Sequence, residues 1–258
     1  VRHIAVTPDD ALQSLPLELL VTQKPARMPR NAADYGQVAW LADRFAFTVV
    51  PAPSALHSLR GRSGRSRGEL PFIGIGDPLL DGTRGNGTRG APPALFTARG
   101  IADPEAVRQM APLPETATEL RLMARQFDAG EQQLYLRDRA REGEVRNAPL
   151  GQARRLAFAT HGLLAGEFAG SSEPALVLTP PDTAGPGDDG LLSASEISTL
   201  SLDADLVILS ACNTAGADGS PGAEGLSGLA RAFFFAGARD LLVSHWPVES
   251  RSAAFLTT

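Results

Sequence analysis

Two segments of the sequence end abruptly at reactive side chains, RRLAFATHG at residues 154–162 and DLVILSACNTA at residues 205–215. In each segment an apolar, strand-like run stops at one such residue, His161 in the first and Cys212 in the second. Cys212 is the one cysteine among 258 residues. A thiol and an imidazole are the parts of a cysteine nucleophile with its acid/base partner, so this pair predicts covalent chemistry at a sulfur atom.

The positions of the two residues fit a shared crevice. In a parallel sheet, side chains at the carboxyl ends of the strands line the crevice where ligands bind. If the two strands are neighbours, His161 and Cys212 face the same crevice although they are 51 residues apart in the sequence. The backbone N–H groups of Gly162 and Cys212 are then natural donors to the oxyanion of a tetrahedral intermediate.

Each residue also has a structural interpretation. A lone buried cysteine usually packs as a small hydrophobic residue, and a lone histidine is usually a hydrogen-bonded polar group. The two together, at matching strand ends and beside small residues such as Gly162 and Ser210, favour catalysis. His245 closes a further strand, where it is either a third active-site residue or a packing partner of Trp246.

The elements that must position these residues are those of an α/β chain. Short apolar runs alternate with helical stretches, which predicts a mostly parallel central sheet flanked by helices. The predicted strands are His3–Val6, Phe45–Val50, Phe72–Ile75, Leu156–Thr160, Leu206–Leu209 and Leu241–His245. The predicted helices are Tyr35–Asp43, Thr116–Phe127, Ser193–Leu200 and Gly225–Ala236, and Ser193 and Glu196 have capping-box spacing.

Composition excludes several classes of protein. A formal net charge of −5 argues against a general nucleic-acid binder, and one cysteine cannot form an internal disulfide. No apolar run approaches the roughly 18 residues of a membrane span, and the first residues lack a signal-peptide pattern, so we expect a cytoplasmic protein without a membrane partner. The sequence begins without Met, which suggests a piece of a longer protein. Its one lysine among 24 basic residues is typical of a GC-rich bacterial genome.

No metal or cofactor is implied by the motifs. His161, His245 and Cys212 lack the CxxC or HxxxH spacing that usually supplies metal ligands. The glycine-rich run GDPLLDGTRGNGTRG at residues 76–90 is not a phosphate-binding loop, because that motif requires a lysine after its glycines. Asn213–Gly222 has the glycine content of a loop that changes shape on activation or on substrate binding.

Several blocks, taken in order, resemble a known family. ATHG at 159–162 and LSACNTA at 209–215 resemble the two signature blocks of CHAT domains, caspase-like modules often found behind tetratricopeptide repeats. The further matching blocks are GDPLL at 76–80, GLLSASEI at 190–197, GAEGLSGLARAFFFAGAR at 222–239 and SHWPVES at 244–250. The resemblance spans residues 1–258 as a single domain, with a weaker N-terminal half over 1–110 and a catalytic half over 111–258.

The resemblance implies a caspase-hemoglobinase-like fold and a cysteine endopeptidase. The histidine of the family falls on His161 and its nucleophile on Cys212, while Ser210 falls in the pocket for the residue before the scissile bond. Trp246 falls in the substrate crevice, preceded by His245 where the family often has an apolar residue. The implied partners are a protein or peptide substrate and a regulatory region such as tetratricopeptide repeats, with no cofactor.

Two other functions remain open at this point. The first is a catalytically silent caspase-like scaffold that acts by protein–protein interaction. The second is a small-molecule acyl hydrolase or transferase that uses the same two residues.

Overall fold

A computed structural model of the chain shows two compact units, Val1–Ser63 and Gly64–Thr258. This boundary lies well before residue 110, where the weaker half of the sequence was expected to end. That all 258 residues act as one domain stays a prediction. The structure describes residues 2–7, 15–50, 64–82, 101–165, 173–185, 187–211 and 228–243.

The smaller unit contains a pair of parallel strands, β1 (His3–Val6) and β2 (Ala46–Val49), as the apolar runs predicted. The helix predicted over Tyr35–Asp43 is wrong. A short helix α1 (Ala32–Tyr35) forms earlier instead, because the Asn31 side chain accepts a hydrogen bond from the Asp34 N–H and caps its first turn. The helix ends before Gly36, and the indole N–H of Trp40 folds back to donate to the Tyr35 carbonyl.

The larger unit contains the remaining strands and helices. Its strands are β3 (Ile73–Gly76), β4 (Leu134–Leu136), β5 (Arg155–Ala159), β6 (Gly162–Leu163), β7 (Ala175–Val177), β8 (Leu191–Ser193), β9 (Leu206–Ser210) and β10 (Asp240–Val243). Its helices are α2 (Pro104–Arg108), α3 (Glu115–Gln126), α4 (Glu142–Asn147), α5 (Ala194–Ser198) and α6 (Gly228–Ala236). Single turns of 3₁₀ helix occur in the larger unit at Glu131–Gln133, Arg137–Arg139 and Leu150–Gln152, and in the smaller unit at Leu17–Leu19 and Leu41–Asp43.

The central sheet has the strand order β10-β9-β5-β3-β4, and every neighbouring pair is parallel. This confirms the prediction of an α/β chain with a mostly parallel central sheet. It also confirms that the strand before His161 and the strand before Cys212 are neighbours, because β5 pairs directly with β9. Strand β3, from the half with the weaker sequence signals, pairs with the other side of β5.

Both faces of the sheet are covered by apolar side chains. On one face, Leu120 and Met123 of α3 are buried with Ala157 of β5 and Ile208 of β9. On the opposite face, Phe158 of β5 is buried with residues of α4, α5 and α6. Side chains of β5 alternate between these two faces, and because both faces are covered, β5 is buried along almost its full length. Its position in the molecule is therefore fixed.

A second, antiparallel sheet has the order β6-β7-β8 and begins directly after His161. It was not predicted, because strands of two or three residues are too short to show alternation in the sequence. The capping box predicted at Ser193 is confirmed at the start of α5, where Ser193 and Glu196 exchange hydrogen bonds. Among the helices in the described ranges, none has the length and apolarity needed to cross a bilayer.

Gly76, the last residue of β3, allows a close approach between β3 and β5. A Cβ atom at this position would lie 2.5 Å from the Ala159 carbonyl oxygen and 2.8 Å from a methyl group of Leu120. The first contact involves backbone, which cannot move aside as a flexible side chain would.

We therefore expect Gly76→Ala to destabilise the fold by about 1–3 kcal/mol, because the clash must be relieved by moving β3 or β5. Gly143→Ala is the matched control, since a Cβ at this position in α4 meets nothing within 4 Å. The control is expected to stay within about 1 kcal/mol of the wild type. Urea unfolding of the three proteins measures both effects, and equal midpoints for Gly76→Ala and the wild type would contradict the steric argument.

Glu142 ties α4 to the loop before β8. Its side chain is fully buried, and its Oε1 accepts hydrogen bonds from the N–H groups of Asp189 (2.7 Å) and Gly190 (2.8 Å). Arg146 donates to its Oε2 at 3.0 Å and also pairs with Glu196. Burial raises the pKa of Glu142 to about 7, although the two backbone N–H groups act in the opposite direction.

The raised pKa of Glu142 predicts a stability that falls with rising pH. Between the ordinary glutamate pKa of 4.5 and the raised pKa of about 7, the folded protein holds a proton that the unfolded chain has released, so stability is lost as pH rises through this window. Relative to Glu142→Gln, which keeps an acceptor for the two N–H groups, the wild type is expected to lose on the order of 1–3 kcal/mol from pH 5 to pH 8.5. Unfolding free energies at several pH values test this, and a difference between the two proteins that is constant or rises with pH would contradict it.

Candidate active site

His161 lies two residues beyond the end of β5, where two hydrogen bonds tie the chain to Val177 of β7. Its carbonyl oxygen accepts a hydrogen bond from the Val177 N–H at 2.9 Å. The hydroxyl of the preceding residue, Thr160, donates to the Val177 carbonyl. The His161 residue is only 3% exposed. The antiparallel sheet that begins here thus fixes the position of the imidazole at the carboxyl edge of the central sheet.

One nitrogen of the imidazole has a definite partner. His161 Nε2 lies 2.7 Å from the carbonyl oxygen of Ala111, in the segment that leads into α3. Because a carbonyl oxygen only accepts, Nε2 must carry the proton in this bond. In the neutral ring, Nδ1 is then the basic nitrogen, and it is the atom that can take a proton from a thiol.

The Gly162 amide is oriented away from β7. The hydrogen bond from the Val177 N–H to the His161 carbonyl joins one pair of facing residues. The two pair types alternate along antiparallel strands, so the next pair, Gly162 and Leu176, is of the non-hydrogen-bonded type. In such a pair the N–H groups do not point at the partner strand. This orientation fits the expectation that the Gly162 N–H is a donor to an oxyanion.

Ser210 ends β9 directly opposite Ala159 of β5. Along the whole pairing, partners in β5 and β9 are 51 positions apart in the sequence, from Arg155 with Leu206 to Ala159 with Ser210. Ala159 and Ile208 both lie on the α3 face of the sheet. Ser210, two residues after Ile208, is on the same face by alternation and is half-buried there.

The other predicted site residues lie outside the described part of the chain. They are Cys212, His245 and Trp246, together with the Asn213–Gly222 segment. Ala211, the residue before Cys212, is described and buried. The roles assigned to these residues by sequence stay predictions, as do the cytoplasmic location and the tetratricopeptide partner.

Sequence reasoning missed three groups at this edge of the sheet. The Ala111 carbonyl is a backbone atom, so no residue type signals it. Asp77 follows β3, and its burial raises the pKa of the carboxyl group while the nearby Arg137 opposes the rise. Asp77 belongs to the GDPLL block, and a charged residue directly after an apolar strand was the available signal. Arg137 follows β4, whose three residues give no clear strand pattern.

Comparison with known families decides the classification. The sequence pattern of the CHAT domain family matches residues 1–258, which is the whole chain. The chain belongs to the CHAT domain family. This family is associated with caspase-like cysteine peptidases, in agreement with the resemblance seen in the sequence. No curated protein matches the chain.

The contact between His161 and Ala111 predicts a single imidazole tautomer in this CHAT domain. We expect the neutral ring to carry its proton on Nε2, since the Ala111 carbonyl can only accept. Nitrogen NMR of protein labelled at its four histidines measures this directly, and His161→Gln identifies the resonances. A neutral ring protonated on Nδ1 would contradict the geometry.

Proposed function

We propose that this CHAT domain is a cysteine endopeptidase with a caspase-like fold, in which Cys212 is the nucleophile and His161 its acid/base partner. The observation that carries the proposal is the register of β5 and β9. His161 is two positions after Ala159, and Cys212 is two positions after Ser210. Because Ala159 and Ser210 are paired, a register that continues past the strand ends brings Cys212 opposite His161 on the same face. Neighbouring strands are about 4.8 Å apart, which suits a thiol–imidazole contact.

The bonds around His161 support a role in proton transfer. With Nε2 bonded to Ala111, Nδ1 takes the proton of the Cys212 thiol, and the thiolate attacks the carbonyl carbon of a peptide bond. The oxyanion that forms accepts hydrogen bonds from the N–H groups of Gly162 and Cys212. His161 then returns its proton to the departing amine nitrogen as the C–N bond breaks. Water hydrolyses the remaining thioester and releases the second product.

Substrate binding follows from the same arrangement. Ser210 lies two residues before the nucleophile and lines the pocket for the residue before the scissile bond. Its side chain is small and uncharged, so this pocket does not select by charge. We assign His245 and Trp246, which follow β10 in the sequence, to the same crevice. A protein or an exposed peptide segment is the substrate.

Cleavage is expected to require both residues of the proposed dyad. We expect Cys212→Ala and His161→Gln to abolish cleavage of proteins in a bacterial extract, as measured by mass spectrometry of newly formed N-termini. His3→Gln is the matched control, because His3 is exposed on β1, where its ring is hydrogen-bonded to the Thr48 hydroxyl. Since His161 is buried, its replacement costs about 1–3 kcal/mol of stability, and thermal melts must show that the variant is still folded. Wild-type cleavage by either dyad variant would refute the assignment.

Labelling separates the peptidase from the two other functions. A peptide with a thiol-reactive electrophile can mark only Cys212, because the chain has no other cysteine. Rapid labelling by the wild type that is lost in His161→Gln is expected for a dyad. Slow labelling at the same rate in both proteins would favour a silent scaffold. Turnover of a simple thioester without cleavage of any peptide would favour a small-molecule acyl hydrolase.

A further inference from the structure

Two non-glycine residues with left-handed backbone conformations lie side by side at the carboxyl edge of the central sheet. Asp77 has a φ of 46° and Arg137 a φ of 56°. They directly follow Gly76 and Leu136, the residues with which β3 and β4 end and which are paired with each other. A left-handed conformation costs roughly 1–2 kcal/mol in residues other than glycine, and such strain concentrates at functional sites.

Hydrogen bonds hold this strained pair in place. The Arg137 N–H donates to the Asp77 carbonyl at 3.1 Å. The Arg137 carbonyl accepts from the Thr179 hydroxyl at 2.7 Å, and that hydroxyl in turn accepts from the Leu79 N–H at 2.9 Å. Thr179 is only 2% exposed. The backbone of Arg137 is therefore fixed by buried partners that do not involve its side chain.

The two side chains are only loosely paired. Asp77 has a side chain that is 8% exposed, and its Oδ1 has no hydrogen-bond partner within the described residues. Arg137 Nη1 lies 3.8 Å from this atom, whereas a charge-assisted hydrogen bond is about 2.7–2.9 Å long. The Arg137 side chain is 57% exposed, and its guanidinium makes no hydrogen bond to the described part of the chain. Asp77 thus keeps the guanidinium near the edge of the sheet while leaving its donors available.

The position of Arg137 relative to the proposed dyad has a consequence for substrate binding. In the order β9-β5-β3-β4, strand β4 is two places from β5, on the side away from β9. His161 must face the leaving amine, so the part of the substrate that follows the cleaved bond departs on the His161 side of the nucleophile. That side is the one with β3 and β4.

The distance from β5, which leads to His161 at the leaving amine, to β4, which leads to Arg137, can be converted into a number of substrate residues. Two strand spacings amount to about 10 Å, and an extended chain advances about 3.3–3.4 Å per residue. An extended substrate that crosses the carboxyl edge therefore passes Arg137 about three residues after the scissile bond. The length of the arginine side chain widens this to the second to fourth residues.

We propose that Arg137 is a specificity residue that binds the carboxylate of an Asp or Glu side chain located two to four residues after the cleaved bond. The proposal rests on the proposed function, because the dyad defines where the bond is cut. A guanidinium binds a carboxylate through two parallel N–H···O bonds, which gives geometric selectivity as well as charge attraction. Arg137 does not touch the reacting atoms and is not a catalytic residue.

The test uses chymotryptic peptides of a bacterial extract, which keep internal acidic and basic residues, as the probe and the full chain as the enzyme. Peptides cut by the wild type are expected to contain acidic residues at the second to fourth positions after the cut, enriched about five- to tenfold over the same positions in the uncut library. Arg137→Gln is expected to lose the enrichment, and Arg137→Glu to replace it with enrichment of Lys and Arg. Arg141→Gln is the matched control, because Arg141 also lies 3.7 Å from an aspartate but does not follow a strand end. It is expected to retain the enrichment.

A binding measurement separates this proposal from the proposed function. The same peptides are passed over immobilised Cys212→Ala protein, with and without Arg137→Gln, and the retained peptides are sequenced. Cleavage without acidic enrichment, or enrichment that survives Arg137→Gln, overturns the role of Arg137 and leaves the peptidase intact. Arg137-dependent retention of acidic peptides without cleavage by the wild type overturns the peptidase, and with it the placement of the carboxylate relative to a cleaved bond, while Arg137 remains a binding residue for acidic peptides. If the wild type shows no cleavage and the immobilised protein retains no acidic peptides, both the peptidase and the role of Arg137 are overturned.

Discussion

The parallel pairing of β5 with its two neighbours is the constraint on which the site depends. β5 is buried between β3 and β9, and a shift of one residue would turn Phe158 out of one apolar face and Ala157 out of the other. This penalty fixes the register, and the register fixes which residues meet where the strands end. The apolar core therefore sets the geometry of polar groups that contribute nothing to it.

The polar edge of the sheet is rigid for a second reason. His161 is tied through its carbonyl to Val177 and through its ring to Ala111, and Thr179 links the loops that follow β3 and β4. These partners come from β7, from the segment before α3 and from the residues after β7, so several elements hold one edge. Burial of these bonds makes each one costly to lose, which keeps the imidazole and the Arg137 backbone in a single arrangement.

Much of the fold was predictable from local pattern. The apolar runs at β1, β5 and β9 are dense enough to be recognised, and α3 shows helical spacing because one side faces the sheet. β6, β7 and β8 were missed because two or three residues cannot show a period. The helix predicted over Tyr35–Asp43 failed because Asn31 caps an earlier turn and the helix that follows stops at Gly36, before the apolar residues that suggested a longer helix.

The sequence by itself determined the chemistry available: one thiol, a histidine at the end of an apolar run, and the order of motifs that mark a CHAT domain. Residue types and their order are local properties of the chain, so they can be read without coordinates. Only the tertiary structure decided that β5 lies beside β9, that the Ala111 carbonyl orients the imidazole, and that Asp77 lies against Arg137. These are contacts between residues distant in sequence, and they exist because burial of the sheet brings their elements together.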